Sequence, residues 1–217
     1  MNSRFLSLCR YARWYAGFRF LLVLFCVLAL ASCGRTAKLP ILNAGATVLA
    51  FGDSLTFGTG VSPPESYPAI LQTLIPHKVV SAGVPGEISE DGLRRLPTVL
   101  DEVQPKLLVL CHGGNDFLRK LDMTKAAANV RAMVQLAQSR GISVVLIATP
   151  QPGLTVSPPD FYADIAHDLK VPIDTGVLSE VLRDRDLKSD LVHPNAKGYR
   201  LIAEAIAKLL KKSGAVV

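Results

Sequence analysis

The sequence predicts a doubly wound, three-layer α/β/α domain on a mainly parallel five-stranded sheet. Three observations predict it. Short apolar runs alternate with longer amphipathic runs along residues 47–213, the pattern of strands joined by crossover helices. The apolar runs are solid rather than alternating, as expected of strands covered by helices on both faces. Several are followed by polar, glycine-containing turns, and in such sheets ligands sit at the carboxyl ends of the strands.

Each element is justified locally. Thr47–Phe51 reads as a buried strand closed by Gly52, Glu65–Ile75 as a helix, and Lys78–Ala82 as a second strand. Ile88–Val103 places Leu93, Leu96, Leu100 and Val103 at helical spacing, although Pro97 predicts a kink or a break. Lys106–Cys111 is a third strand, and Thr124–Ser139 a helix with Ala127, Val130, Val134 and Ala137 on one face. Gly141 ends that helix, and Ile142–Ile147 is the most strand-like run of all. Thr149–Pro159 holds four prolines and little periodicity, which reads as a loop lying over something. Phe161–Asp168 is a short helix and Val171–Ile173 a terse edge strand. Asn195–Lys211 is an amphipathic helix opened by Pro194, a favoured first-turn residue.

The first forty residues have a different character. Phe20–Ala31 is a twelve-residue apolar run preceded by Arg4, Arg10, Arg13 and Arg19, the plan of a secretory signal. A transmembrane anchor is the alternative, but it usually needs roughly 20 apolar residues. Leu30-Ala31-Ser32-Cys33 resembles the bacterial lipobox, in which cleavage precedes a lipid-bearing cysteine. That resemblance divides the chain into a signal over 1–32, a tether over 33–46 and a domain over 47–213, with lipidation at Cys33. Two or three acyl chains anchor stably where one does not. Gly34 in place of Asp after the cysteine resembles outer-membrane sorting, which implies an envelope protein facing the periplasm in a Gram-negative cell.

Charge and cysteine usage narrow the function classes. The formal charge of +6 comes from 24 basic and 18 acidic residues; without residues 1–32, which carry four arginines and no acids, it falls to +2. No basic tract with interleaved aromatics remains, so nucleic acid is not an expected partner. Of the four cysteines, Cys9 and Cys26 lie in the signal, Cys33 is the lipidation candidate, and Cys111 alone is in the domain. A disulfide framework and a metal-type cysteine spacing are both excluded.

Three runs carry chemistry: Gly52-Asp53-Ser54-Leu55, Gly113-Gly114-Asn115-Asp116, and Asp190-Leu191-Val192-His193-Pro194. A serine nucleophile needs a base, an acid to orient that base, and donors for the oxyanion. These runs offer a serine, a histidine with an aspartate three residues before it, and an asparagine in a glycine-rich turn. Ser54 reads as the nucleophile, His193 as the general base and Asp190 as its orienting acid. The bland alternatives are a serine capping a short helix, a surface aspartate beside a capping histidine, and a turn asparagine. Asp53 is assigned no catalytic step. His77 and His167 lack such company, while His112, beside Gly113, either lines the pocket or is structural. No cluster offers a metal site, and no cofactor is required.

Gly52-Asp-Ser-Leu-Thr-Phe-Gly58, Gly113-Gly-Asn-Asp116 and Asp190-x-x-His193-Pro194 resemble three blocks of the SGNH (GDSL) hydrolase family. Gly86, within Ala82–Ser89, matches the remaining block. The resemblance runs from about Thr47 to Leu210 and is nearest to the subgroup of thioesterase I/lysophospholipase L1 and arylesterases. It implies a flavodoxin-like arrangement and a Ser54–His193–Asp190 triad. It also implies an oxyanion hole from the Ser54 and Gly86 amides and the Asn115 side chain, with Gly83 second to Gly86. Gly83 and Pro85 depart from the subgroup pattern, in which small polar residues are common there, and this puts the loop's shape in question.

The expected activity is a serine esterase acting on acyl or aryl esters, thioesters or lysophospholipids. Two other readings remain open: a carbohydrate O-acetylesterase of the cell envelope, and a non-catalytic envelope lipoprotein on a degenerate hydrolase fold. Leu118, Leu154 and Phe161 near the rim lean towards apolar acyl chains.

Overall fold

The computed structural model of the protein describes residues 36–153 and 155–217. The stretch read as a signal, with Cys33 and Gly34, and Leu154 lie outside the described residues.

Five strands form one sheet: β1 (Thr47–Gly52), β2 (Lys78–Gly83), β3 (Leu107–Cys111), β4 (Ser143–Ile147) and β5 (Ile173–Asp174). Their order is β2-β1-β3-β4-β5 and every pairing is parallel. Successive side chains point to opposite faces of a strand, so each central strand feeds two cores. Val48 and Ala50 of β1 join Leu107, Val109, Val145 and Ile147 on one face. Leu49 and Phe51 join Leu108, Leu110, Val144 and Leu146 on the other. All of these are essentially inaccessible, which is why the strands read as continuous apolar runs.

Helices α1 (Ser54–Phe57), α2 (Tyr67–Leu74), α3 (Ser89–Val103), α4 (Gly114–Leu118), α5 (Met123–Ser139), α6 (Phe161–Asp168), α7 (Val177–Arg183) and α8 (Ala196–Ser213) complete the described fold. Helices α2, α7 and α8 bury their apolar stripes on the first face, and α3, α5 and α6 theirs on the second. In α8 the stripe is Tyr199, Ile202, Ala203, Ile206 and Leu210, the three-and-four spacing of an amphipathic helix.

Several local expectations are corrected. The predicted helix 65–75 is a 3-10 turn over Pro63–Glu65 followed by α2. Helix α3 runs through Pro97 instead of breaking there. Burial of Leu96 and Leu100 on either side offsets the roughly 3 kcal/mol that a mid-helix proline costs. In α5 the core-facing residue of the first turn is Ala126, not Ala127. Helix α8 is capped by Asn195, whose side chain accepts from the Lys197 and Gly198 amides, so Pro194 stands before the cap and not in the first turn. Helix α7 was not foreseen; it fills the stretch between β5 and the Asp190–His193 segment.

The stretch read as a tether is docked over its described part. The Leu39 and Leu42 amides donate to the Ser213 and Ala215 carbonyls at 2.9 Å, and Leu42, Ala46, Ala215 and Val216 are buried in the core. No helix among the described residues is long and apolar enough to cross a membrane.

Candidate active site

The polar turns converge at the carboxyl rim of the sheet. β1 ends at Gly52 and the chain turns at once into α1. The N-cap of α1 is Asp53, whose Oδ1 accepts from the Leu55 amide at 3.0 Å. The capping role considered for Ser54 therefore belongs to its neighbour, and the Ser54 hydroxyl is left available. As the first residue of the helix, Ser54 has an N–H with no intrahelical acceptor.

The segment 188–194 is closed by an antiparallel bridge between Lys188 and Pro194, and it presents Asp190 and His193 together. His193 Nε2 stands 3.0 Å from Ser54 Oγ, and His193 Nδ1 stands 2.7 Å from Asp190 Oδ2. The other carboxylate oxygen of Asp190 accepts from the Val192 and His193 amides, both at 2.8 Å. Desolvation pushes the Asp190 carboxyl up, but the bonds from the His193 ring and the two amides outweigh it and hold it below the usual range. An ionised Asp190 fixes the proton on Nδ1 and leaves Nε2 as the acceptor facing Ser54.

β3 ends at Cys111, and the chain enters α4 through His112 and Gly113. Gly113 takes φ 107°, in the left-handed region that favours glycine; a Cβ there would also stand 2.6 Å from the Tyr162 hydroxyl. Asn115, in the first turn of α4, donates through Nδ2 to the Glu87 carbonyl at 3.0 Å and to Asp53 Oδ2 at 3.3 Å. Asp53 is buried, and that burial raises its carboxyl pKa. Asp53 thus has two supporting roles, capping α1 and bracing Asn115.

Gly86, in the turn after β2, has φ 78°, and its carbonyl accepts from Arg119 Nη2 at 2.6 Å. Among the described residues no backbone acceptor takes its N–H. Gly83, by contrast, is the last residue of β2, paired with Gly52 and packed against the backbone of Phe57. Ser54, Gly86, Asn115 and His193 all line one cleft of about 270 Å³, and Gly83 does not.

The cleft walls are largely apolar, with Leu118, Pro150, Val156, Leu182 and Leu191 among them. The described part of the proline-rich loop is pinned by a bridge between Gln151 and Ser157 and forms one wall. Phe161, expected at the rim, instead stacks on Tyr162 at 4.2 Å and packs against the core. His112 is fully buried and does not line the cleft. Among the described residues there is no group of three or more His, Cys, Asp or Glu side chains that could hold a metal, and burial raises the thiol of Cys111.

Sequence reasoning missed Asp53, Glu87 and Arg119 as supports of the site. Arg119 lies four residues after Asn115, one helical turn on, and Glu87 flanks Gly86. Those spacings are the signals that were available.

With this geometry in view, the comparisons with known proteins are decisive about kinship. The sequence model of the GDSL-like Lipase/Acylhydrolase family matches residues 50–201, from β1 into α8. The chain belongs to that family. It is a GDSL-type esterase or lipase, and the family's matched span contains Ser54, Gly86, Asn115, Asp190 and His193. The thioesterase 1/protease 1/lysophospholipase L1 of Escherichia coli (strain K12) is 30% identical over 173 residues, covering 76% of this chain and 83% of that protein. The arylesterase of Vibrio mimicus is 29% identical over 181 residues, covering 78% and 90%. The psychrotrophic esterase EstA from Pseudoalteromonas sp., solved with monoethylphosphonate as inhibitor, superposes with a TM-score of 0.68 at 25% identity, covering 76% and 97%. The parallel five-stranded sheet and the likeness to this solved esterase agree on an α/β architecture.

Proposed function

We propose that the protein is a serine carboxylic-ester hydrolase working through an acyl-enzyme on Ser54. The single observation that carries this reading is the hydrogen-bonded chain Ser54 Oγ–His193 Nε2–Asp190 Oδ2, at 3.0 and 2.7 Å. His193 takes the Ser54 proton as Oγ attacks the ester carbonyl, then returns it to the departing alcohol. The negative oxygen of the tetrahedral intermediate is stabilised by the Ser54 and Gly86 amides and by Asn115 Nδ2, which gives up its long 3.3 Å contact with Asp53 to donate there. Water, activated in turn by His193, adds to the acyl-enzyme and releases the acid.

The substrate class follows from the cleft. Apolar walls beside a polar rim suit the acyl part of an ester. A volume of about 270 Å³ lies near the lower end of ligand pockets, which span roughly 300–1,000 Å³. The apolar lining therefore suits an acyl chain of several carbons better than acetate. Names of the relatives support esters, thioesters and lysophospholipids as the range to test. Hydrolysis of p-nitrophenyl esters from acetate to palmitate is expected to peak at a chain longer than acetate. A profile confined to acetate would favour the carbohydrate O-acetylesterase reading instead.

We also infer export and lipid anchoring, from Leu30-Ala31-Ser32-Cys33 after an apolar run with a basic flank. Cells fed labelled palmitate are expected to yield a labelled, membrane-associated protein, and Cys33→Ser to yield neither label nor membrane association. Equal labelling of both proteins would contradict the assignment.

A further inference from the structure

His112 is a fully buried histidine that neither lines the cleft nor takes part in the proton transfers above. Its surroundings are built around it. Nε2 lies 3.1 Å from Glu87 Oε2, while Nδ1 accepts from the Gly113 amide at 3.0 Å. The Gly113 amide is a donor, so Nδ1 must be unprotonated and Nε2 must carry the hydrogen that Glu87 accepts. The ring is therefore a neutral imidazole in a single tautomer.

Glu87 is itself clamped. Arg95 donates from Nε to Oε1 and from Nη2 to Oε2, each at 2.7 Å, and from Nη2 to the Ala82 carbonyl at 3.1 Å. Such a two-pronged pair fixes orientation as well as distance. The guanidinium also lies over the Phe51 ring, 4.2 Å from its centroid. Burial opposes ionisation of Glu87, but the bonds from Arg95 and His112 outweigh it and lower its carboxyl to about 2. The seat of the ring is also specific. Gly92 of α3 faces it, and a Cβ there would stand only 2.8 Å from Cδ2.

The two ends of this chain are the two loops that carry oxyanion donors. Glu87 follows Gly86 directly, and its carbonyl accepts from Asn115 Nδ2. His112 enters the turn that delivers Gly113, Gly114 and Asn115. The segments after β2 and β3 are thus joined by the Asn115–Glu87 bond and by the buried imidazole–carboxylate contact, beside the Arg119 bond to the Gly86 carbonyl and the Ser89 bonds to Asp116.

We propose that Arg95, Glu87 and His112 form a positioning unit that sets the separation of the Gly86 amide from the Asn115 side chain. None of the three is a catalytic residue; they act through the oxyanion donors. The proposal rests on the serine-esterase reading above. Transition-state stabilisation depends on donors held in place before charge develops, and a misplacement of about 1 Å can cost on the order of 10²-fold in rate.

A double-mutant cycle on the full-length chain, with p-nitrophenyl butyrate as substrate, tests it. His112→Leu is expected to lower kcat by about 10- to 100-fold while KM changes less than about threefold. His112→Gln, which keeps an N–H towards Glu87, restores most of the loss. In an Asn115→Ala background the same His112→Leu change costs less than about threefold more, because the hole it sets has already lost a donor. Should His112→Leu fail to fold, Arg95→Lys gives the same cycle in milder form, since lysine keeps the charge but not the two-pronged grip. Losses that multiply independently in the double variants would make the unit ordinary packing and overturn the proposal. So would a His112→Leu enzyme with wild-type kcat. A wild type no more active than Ser54→Ala would instead remove the esterase reading and the proposal with it.

Discussion

Ser54→Ala is expected to abolish ester hydrolysis, with kcat falling by about 10⁴-fold or more. Among the described residues, the hydroxyl is the only group in the cleft that is both within 3.0 Å of an imidazole nitrogen and at a helix start with an amide that no backbone acceptor takes. Without it His193 has no proton to take, and the residual rate comes from binding and the oxyanion donors alone. The folded state loses little. Ser54 is not a cap, because Asp53 holds the first turn of α1, and the substitution is expected to change stability by no more than about 0.5 kcal/mol. Turnover measured beside thermal unfolding checks both halves. Activity lost together with stability would point to a folding defect instead.

The second large effect is expected at Asp190. Asp190→Asn keeps the shape of the segment but offers Nδ1 no fixed negative acceptor. The wrong tautomer becomes accessible, and kcat is expected to fall by about 10²–10⁴-fold. Asp190 is roughly half exposed, so solvent screens part of its charge and the lower part of that range is the more natural outcome. The pH dependence has a definite sign. A carboxyl held below its usual range stays ionised as the medium is acidified through that range, so its contribution is complete above the unfolded value and is lost only as pH falls through the folded one. Followed directly by NMR of its carboxyl carbon, Asp190 is therefore expected to stay ionised from pH 9 down to about pH 5 and to protonate only below about pH 3.9. A carboxyl that protonated between pH 7 and pH 5 would mean that Asp190 is not the ionised partner of His193.

Much of the proposed site was legible because the proposed nucleophile, base and donors lie in short local runs. Gly52–Leu55, Gly113–Asp116 and Asp190–His193 each present their groups within one turn of chain, and a parallel sheet brings strand ends to one rim. The supports were legible at most as neighbours of the site, since their partners arise from packing between segments. Glu87 meets His112 across 25 residues, and Asp53 meets Asn115 across 62. The capping of α1 fell one residue earlier than the serine alternative required, because Asp53 reaches the Leu55 amide directly. Pro97 does not break its helix for a related reason: its neighbours Leu96 and Leu100 are locked into the core, and burial overrides the local penalty. Helix α7 escaped notice because Val177–Arg183 is short, yet its Leu182 supplies part of the cleft wall.

The most direct test of the central claim is to trap the covalent intermediate. The enzyme would be mixed with excess p-nitrophenyl butyrate, quenched in acid within the first turnovers, digested and examined by peptide mass spectrometry. A butyryl group on Ser54, absent from Ser54→Ala, is the predicted result. Turnover with no acyl mass on the peptide containing Ser54, or with the acyl group on another residue, would contradict it.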